Sequence, residues 1–210
     1  EGGCVMMREN ITWLGHSSIK IKGGQVVYID PWKLKDGSEK ADIILISHSH
    51  YDHYSPDDVK KIQKKETVII TAADAAAGLT GDVRTAGPGE RFVVGDTEIE
   101  TVPSYNRNKA FHPKENAWLG FVVTMEGQRI YYGGDTDLIP EMKDIRADIA
   151  ILPVGGTYTM TAEEAAEAAR IIGPKVAIPI HCGDLVGTME DARRFRDACS
   201  VPVLIKNPVR

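Results

Sequence analysis

Hydrophobic and polar positions along this chain recur at two periods, and the change between them separates a strand-rich first part from a last third in which strands and helices alternate. Ile19-Lys20-Ile21-Lys22 alternates apolar with charged residues, Gly23-Gly24 supplies a turn, and Val26-Val27-Tyr28-Ile29 runs back to Asp30-Pro31, which predicts a hairpin. Ile43-Ile44-Leu45-Ile46 is short, apolar and rich in β-branched residues, and predicts a buried strand. A helix follows: Ser55 caps it, Pro56 suits its first position, Asp57 and Asp58 complement the positive end of its dipole, and Val59 and Ile62 begin an apolar face. Residues 68–71 read as a strand and residues 72–77 as a short helix. Residues 92–94 and 98–102 flank Gly95-Asp96, and residues 121–125 and 129–132 flank Glu126-Gly127-Gln128, so two further hairpins are expected.

The last third predicts a strand at 149–154, a helix at 162–172, a strand at 176–180, a helix at 189–199 and a strand at 201–205. Thr161 and Glu164 have the spacing of a capping box at the start of the first of these helices. Hairpins combined with strand-helix units favour an α+β fold of layered sheets under helices, and an αββα four-layer sandwich would bury these strands well. With no repeat, low-complexity tract or Pro/Ser-rich linker, residues 1–210 are expected to form a single domain.

Composition removes several classes of function. A hydrophobic fraction of 42% with 26% charged residues excludes a disordered or fibrous chain. The net charge of -5 provides no global attraction toward nucleic acid or anionic lipid, so a nucleic-acid partner is not expected. No apolar run approaches the roughly 20 residues of a spanning helix, and residues 1–10 lack the apolar core of a secretory signal, so a cytoplasmic protein without a membrane partner is expected. Cys4, Cys182 and Cys199 are odd in number and widely spaced, which fits reduced thiols, with Cys182 a small buried thiol beside a histidine of interest.

Chemistry concentrates just after the buried strand, in Ser47-His48-Ser49-His50-Tyr51-Asp52-His53. Three imidazoles and a carboxylate at a strand end form a metal-binding pattern, in which His48 and His50 grip one ion while Asp52 and His53, turned the other way, grip a second. A closed structural zinc site would favour cysteine pairs, which are absent here. Two more hydrophobic strands end in polar ligands: Ile130-Tyr131-Tyr132-Gly133-Gly134 leads to Asp135-Thr136-Asp137, and Val176-Ala177-Ile178-Pro179-Ile180 leads to His181. Three strand ends thus deliver metal-capable side chains to one crevice, and Gly133 and Gly134 allow close backbone approach there.

In these residues the chain resembles the metallo-β-lactamase-fold hydrolases, whose His-x-His-x-Asp-His signature is matched by His48, His50, Asp52 and His53. Trp13-Leu14-Gly15-His16-Ser17-Ser18, Ile29-Asp30-Pro31-Trp32 and Leu152-Pro153-Val154-Gly155-Gly156-Thr157-Tyr158-Thr159-Met160 look like the small single-domain branch, which includes uncharacterised metal-dependent hydrolases and L-ascorbate 6-phosphate lactonase. The resemblance implies an αββα sandwich, Asp135 bridging two divalent metals, His181 completing the second, and a tendency to self-associate. One departure is visible. The family supplies another histidine after the strand at 98–102, where this chain has Asn106 and, six residues on, His112. Either His48, His50 and Asp135 hold the first metal with Asn106 or water, or His112 folds back to serve.

His16 and Asp30 are expected to support the ligands from behind, in the core or as outer hydrogen-bond partners. Asp137 is expected near the leaving group or behind the ligands, and Tyr158, by resemblance only, at the substrate. The expected activity is hydrolysis by a metal-bound hydroxide, with Asp52 and Asp135 catalytic and zinc, manganese or iron as the metal. Arg107, Lys109, His112 and Lys114 form a basic cluster that would favour a small anionic ester, lactone or phosphodiester. Alternatives on the same scaffold are a nucleotide or RNA phosphodiesterase, a di-iron redox protein and a metal-binding protein without turnover.

Overall fold

The computed structural model describes residues 8–209. Its strands form two six-stranded sheets. The first contains, in spatial and chain order, β1 (Ile11–Gly15), β2 (Ser18–Lys22), β3 (Val26–Ile29), β4 (Ile43–Ile46), β5 (Val68–Ala72) and β6 (Asp82–Ala86). The second runs from β7 (Arg91–Val94) through β8 (Thr97–Pro103), β9 (Leu119–Met125), β10 (Gln128–Tyr132) and β11 (Ile149–Pro153) to β12 (Val176–Ile180). The helices are α1 (Pro56–Ile62), α2 (Ala162–Ile172) and α3 (Met189–Ala198).

Side chains alternate across the pleat, so the buried run in β4 serves two layers at once. Ile43 and Leu45 enter the large core between the sheets, with Ile19, Phe121 and Ile130, whereas Ile44 and Ile46 pack under α1 with Val59 and Ile62. On the far side, α2 lays Ala165, Ala168, Ala169 and Ile172 into the large core, and Phe195 of α3 joins them. The result is the expected αββα order of layers. Helix starts also follow the sequence. Ser55 accepts the Asp58 N–H at the start of α1, and Thr161 and Glu164 form a reciprocal capping box on α2.

All three predicted hairpins are present as antiparallel pairs: β2/β3, β7/β8 and β9/β10. Three local expectations require correction. The strand expected at 201–205 is reduced to a single bridge between Val203 and Ala177, closed by the Ala177 N–H on Pro202 O and the Leu204 N–H on Ala177 O. The next rung would need an N–H from Pro179, which has none. The helix expected at 72–77 shrinks to one 3-10 turn, Ala73–Ala75, because Ala72 finishes β5 and no side chain caps the turn. Conversely, β6 went unpredicted: it is an edge strand of mixed polarity, paired with β5, and only Val83 and Ala86 reach the cores, too few to announce it.

Strands β3, β4 and β5 are mutually parallel, as are β10, β11 and β12. Their carboxyl ends therefore open on one edge of the sandwich.

Candidate metal centre

Five strand ends and one loop deliver the predicted residues to that edge. His16 follows β1, Asp30 follows β3, the histidine motif follows β4, Asp135 follows β10 and His181 follows β12. The backbone at Gly134 has φ +65, and a Cβ there would lie 2.8 Å from Leu119 O, so only glycine lets the chain turn Asp135 inward. Gly155 is as tightly constrained, since its Cβ would stand 2.5 Å from the carbonyl oxygen of His181.

Donor atoms converge in overlapping groups: His48, His50 and His112; His48, His53 and Asp135; and His16, Asp52, His53 and His181, with the donor atoms of each group within 4.8 Å of one another. His48 Nε2 lies 3.1 Å from His50 Nδ1. Asp135 reaches toward three imidazoles, with Oδ1 3.2 Å from His53 Nε2 and Oδ2 3.2 Å from His181 Nε2 and 3.3 Å from His112 Nε2. Its carboxylate therefore stands between the groups, as a bridging residue would.

His112 is buried against the other histidines, and Asn106 holds it there. The Asn106 Oδ1 accepts the His112 backbone N–H at 3.1 Å and lies 3.0 Å from His112 Nδ1, while the Asn106 Nδ2 donates to Asp137 Oδ1 and to Tyr158 O. Both ends of the amide are engaged. Of the two alternatives for the missing histidine, this geometry brings His112 into the cluster, with Asn106 hydrogen-bonded to it from behind. Asp137 is likewise turned away from the imidazole cluster, because its carboxylate accepts from Asn106, the Arg107 N–H and Lys109 Nζ, anchoring the 105–112 loop.

Asp30 supports the cluster from behind. Its Oδ1 accepts the Ser47 N–H, and its Oδ2 accepts Ser47 Oγ, His53 Nδ1 and the Tyr132 hydroxyl at 2.6, 2.7 and 2.6 Å. With Nδ1 donating, His53 is left with Nε2 facing Asp135, the second-partner arrangement typical of metal-ligating histidines. Ser47 Oγ, whose proton goes to Asp30, sits 2.8 Å from His48 Nδ1 and fixes that ring in the same sense. His16 Nε2 lies 2.9 Å from Asp52 Oδ2 and orients that carboxylate.

Sequence reasoning missed several contributors. Trp118 packs against the motif, tilted to His48 and edge-on to His50 with ring centroids 4.7 and 4.8 Å away, and its Nε1 donates to Asp74, which also accepts Ser49 Oγ. Neither residue stands near the motif in sequence, so no spacing signal marked them. Tyr132, quoted only as a strand residue, carries the hydroxyl that donates to Asp30.

Charge is unevenly distributed over the cluster. Burial would raise the Asp135 carboxyl, but His181 and His53 outweigh it and hold the group well below the usual range. Asp52 is similarly opposed by burial and yet drawn down to about 2 by the His16 hydrogen bond and His53. Burial pushes His48 down, whereas in His53 it is overcome by Asp135 and Asp30, which push that imidazole up.

The buried atoms left without hydrogen-bond partners include His53 Nε2, His112 Nε2, Asp135 Oδ1 and both ring nitrogens of His181. Orphaned buried polar atoms cost about 1–3 kcal/mol each and are uncommon. Two ligands on one tetrahedral ion about 2.0–2.1 Å from each are about 3.3 Å apart, close to the separations observed. The residues present fit a divalent metal.

A family model described as a β-lactamase superfamily domain matches residues 10–181. A UPF0173 metal-dependent hydrolase of Archaeoglobus fulgidus is 34% identical over 90% of this chain and 89% of its own. A crystal structure from Parabacteroides distasonis, described as a metal-dependent hydrolase, superposes with a TM-score of 0.85 at 34% identity, covering 95% of this chain and 93% of that one. Igni18, a metallo hydrolase from Ignicoccus hospitalis, shares the fold with a TM-score of 0.77 at 23% identity over 95% of each chain.

Proposed function

The chain belongs to the metallo-β-lactamase superfamily of metal-dependent hydrolases, and we propose that it hydrolyses a small-molecule ester, lactone or phosphodiester at a two-metal centre. His48, His50 and His112 would hold one ion, Asp52, His53 and His181 the other, with Asp135 between them. The convergent, unpartnered donor atoms on a cleft wall carry this reading. An imidazole-carboxylate donor set suits zinc, with manganese or iron next. Bound there, a divalent ion would acidify water toward a pKa of about 7 and polarise the oxygen of the scissile bond.

The chain's own residues do the rest. Asp52 lines the cleft and has its Oδ2 held by His16, so it is placed to take the proton of the attacking water and return it to the leaving oxygen. In the net reaction, water oxygen bonds to the acyl carbon or phosphorus, the bond to the leaving oxygen breaks, and the proton ends on that oxygen. Asp30 and Asn106 position His53 and His112. The expected anionic substrate loses part of its support, because Lys109 is spent on Asp137 and Lys114 on Glu141. A single unit over 1–210, a cytoplasmic location and self-association remain part of the proposal; Cys182 and Cys199 are free thiols, while Cys4 lies outside the described residues.

Metal content by elemental analysis on protein purified without added metal, with ester, lactone and phosphodiester assays on the same sample, tests the reading. About two ions per chain and activity lost to a chelator and restored by metal are expected. Activity that survives complete metal removal would refute it.

A further inference from the structure

Resting on the hydrolase reading, we infer that the cleft over the metal centre takes an uncharged, apolar arm of the substrate. The cleft, about 310 Å³, is bounded on its reactive side by His50, Asp52, His112 and Asp135 and on its outer side by Tyr51, Phe111, Tyr158, Leu185 and Val186. Among the described residues five large apolar side chains are exposed, and three of them border this cleft: Tyr51 at 68%, Phe111 at 50% and Leu185 at 41%. Keeping such groups in water at one spot is unfavourable unless something covers them. The Phe111 ring packs edge-on against Tyr158 with centroids 4.6 Å apart, which stiffens one wall.

No lysine or arginine lines this cleft. Nearby cations are committed elsewhere: Lys33 lies 4.0 Å over the Trp32 ring and 3.7 Å from Asp184, while Lys109 and Lys114 are paired with carboxylates. An anionic arm lying in this cleft would therefore meet no lysine or arginine of its lining and would lose its hydration against aromatic and aliphatic walls. A hydrocarbon arm gains by the same contacts. Continuity of the apolar wall with Asp52 and Asp135 marks it as substrate space and not as a remote docking face.

The test uses the metal-loaded 210-residue protein with 4-nitrophenyl acetate, butyrate and hexanoate, and the 4-nitrophenyl monoester of adipic acid, which matches hexanoate in carbon number but ends in a carboxylate. We expect kcat/KM to rise about threefold to fourfold per buried methylene and to fall at least about tenfold from hexanoate to the adipate monoester. Leu185→Asp should flatten the chain-length slope. Independently of turnover, hexanamide titrated into metal-free protein should shift the NMR signals of Leu185, Val186 and Phe111, and Leu185→Asp should weaken that binding.

A flat slope with no hexanamide shifts would overturn the apolar arm while leaving hydrolysis standing. Hexanamide binding with no ester, lactone or phosphodiester turned over would support the cleft and sink the hydrolase reading. If sedimentation shows a dimer that Leu185→Asp dissociates, and hexanamide produces no shifts, a second copy covers the patch and the inference fails.

Discussion

Replacing Asn106 by alanine isolates the contribution of a residue that touches no metal-facing atom but orients one. The side chain is buried, and its loss removes one acceptor serving two His112 donors, 3.0 and 3.1 Å away, and two donors that tie Asp137 and Tyr158. Two stranded donors, each worth about 1–3 kcal/mol, set a loss of about 2–4 kcal/mol after local relaxation. For a chain of this size that lowers Tm by roughly 5–15 °C. Freed to rotate, His112 no longer presents Nε2 to the cluster, and removing such an outer partner costs about 10- to 100-fold in metal affinity. Competition against a chromophoric chelator would read the affinity, and thermal denaturation with and without excess metal the stability. Asn106→Asp should not rescue it, because the new carboxylate would face the Asp137 carboxylate and Tyr158 O where the amide nitrogen now donates, whereas His112→Ala should remove one ion outright. Wild-type affinity for both ions in Asn106→Ala and His112→Ala alike would refute the placement of His112 in the metal site.

Other outcomes follow from the same geometry. Asp135→Ala should abolish turnover and reduce metal content below that of any single-histidine variant, measured by elemental analysis on protein that retains its far-UV circular dichroism. Asp52→Ala should also abolish turnover in a folded protein, and an unchanged rate would remove Asp52 from the mechanism. Thr161→Ala breaks the α2 capping box and should cost about 1 kcal/mol by chemical denaturation, without changing metal content. Asp42 tests the pH dependence of stability. Burial opposes its ionisation, but Lys64 and the Val26 N–H prevail and hold its pKa below the ordinary value. Its contribution is complete above the unfolded-state pKa and is lost as pH falls through the folded one, so Asp42→Asn should flatten the acid limb of stability measured against pH.

The fold was legible where hydrophobic pattern and end signals agreed. The run at 43–46, the three glycine-marked hairpins and the Thr161 capping box all read correctly because each is a local property of a few residues. The edge strand β6 and the tail at 201–205 did not, since one offers only Val83 and Ala86 to the cores and the other is limited by a proline on the neighbouring strand. At the site, the spacing in the histidine motif and the strand-end positions of Asp135 and His181 identified groups that converge in space. The placement of His112 depends on a loop folded over Asp137, Lys109 and Tyr158, contacts that no periodicity encodes. The apolar mouth was hidden for a related reason. Tyr51, Phe111 and Leu185 come from three separate loops, and each alone is an unremarkable surface residue.

Donors carried by two different sheets must keep a common register if they are to act as one centre, and the structure supplies it through direct cross-ties at the site edge. The His181 N–H donates to His16 O at 3.0 Å, and that same carbonyl accepts Trp13 Nε1 at 2.9 Å. The Leu119 N–H donates to Ser47 O, beside the histidine motif, and the Tyr132 hydroxyl crosses from the second sheet to Asp30 on the first. Among the described residues only six non-glycine residues have positive φ, and His16, Asp30 and His181 are three of them. Left-handed backbone at such residues costs on the order of 1 kcal/mol each and persists where surrounding contacts over-determine it. The cross-ties meet that condition, since the same backbone turns that create the strain bring His16 and His181 into ring contact at 4.2 Å. Strain and inter-sheet bonding are thus two aspects of one arrangement, and a substitution that relaxes one strand end, such as His16→Gly, should disturb ligands on the opposite sheet as well as its own.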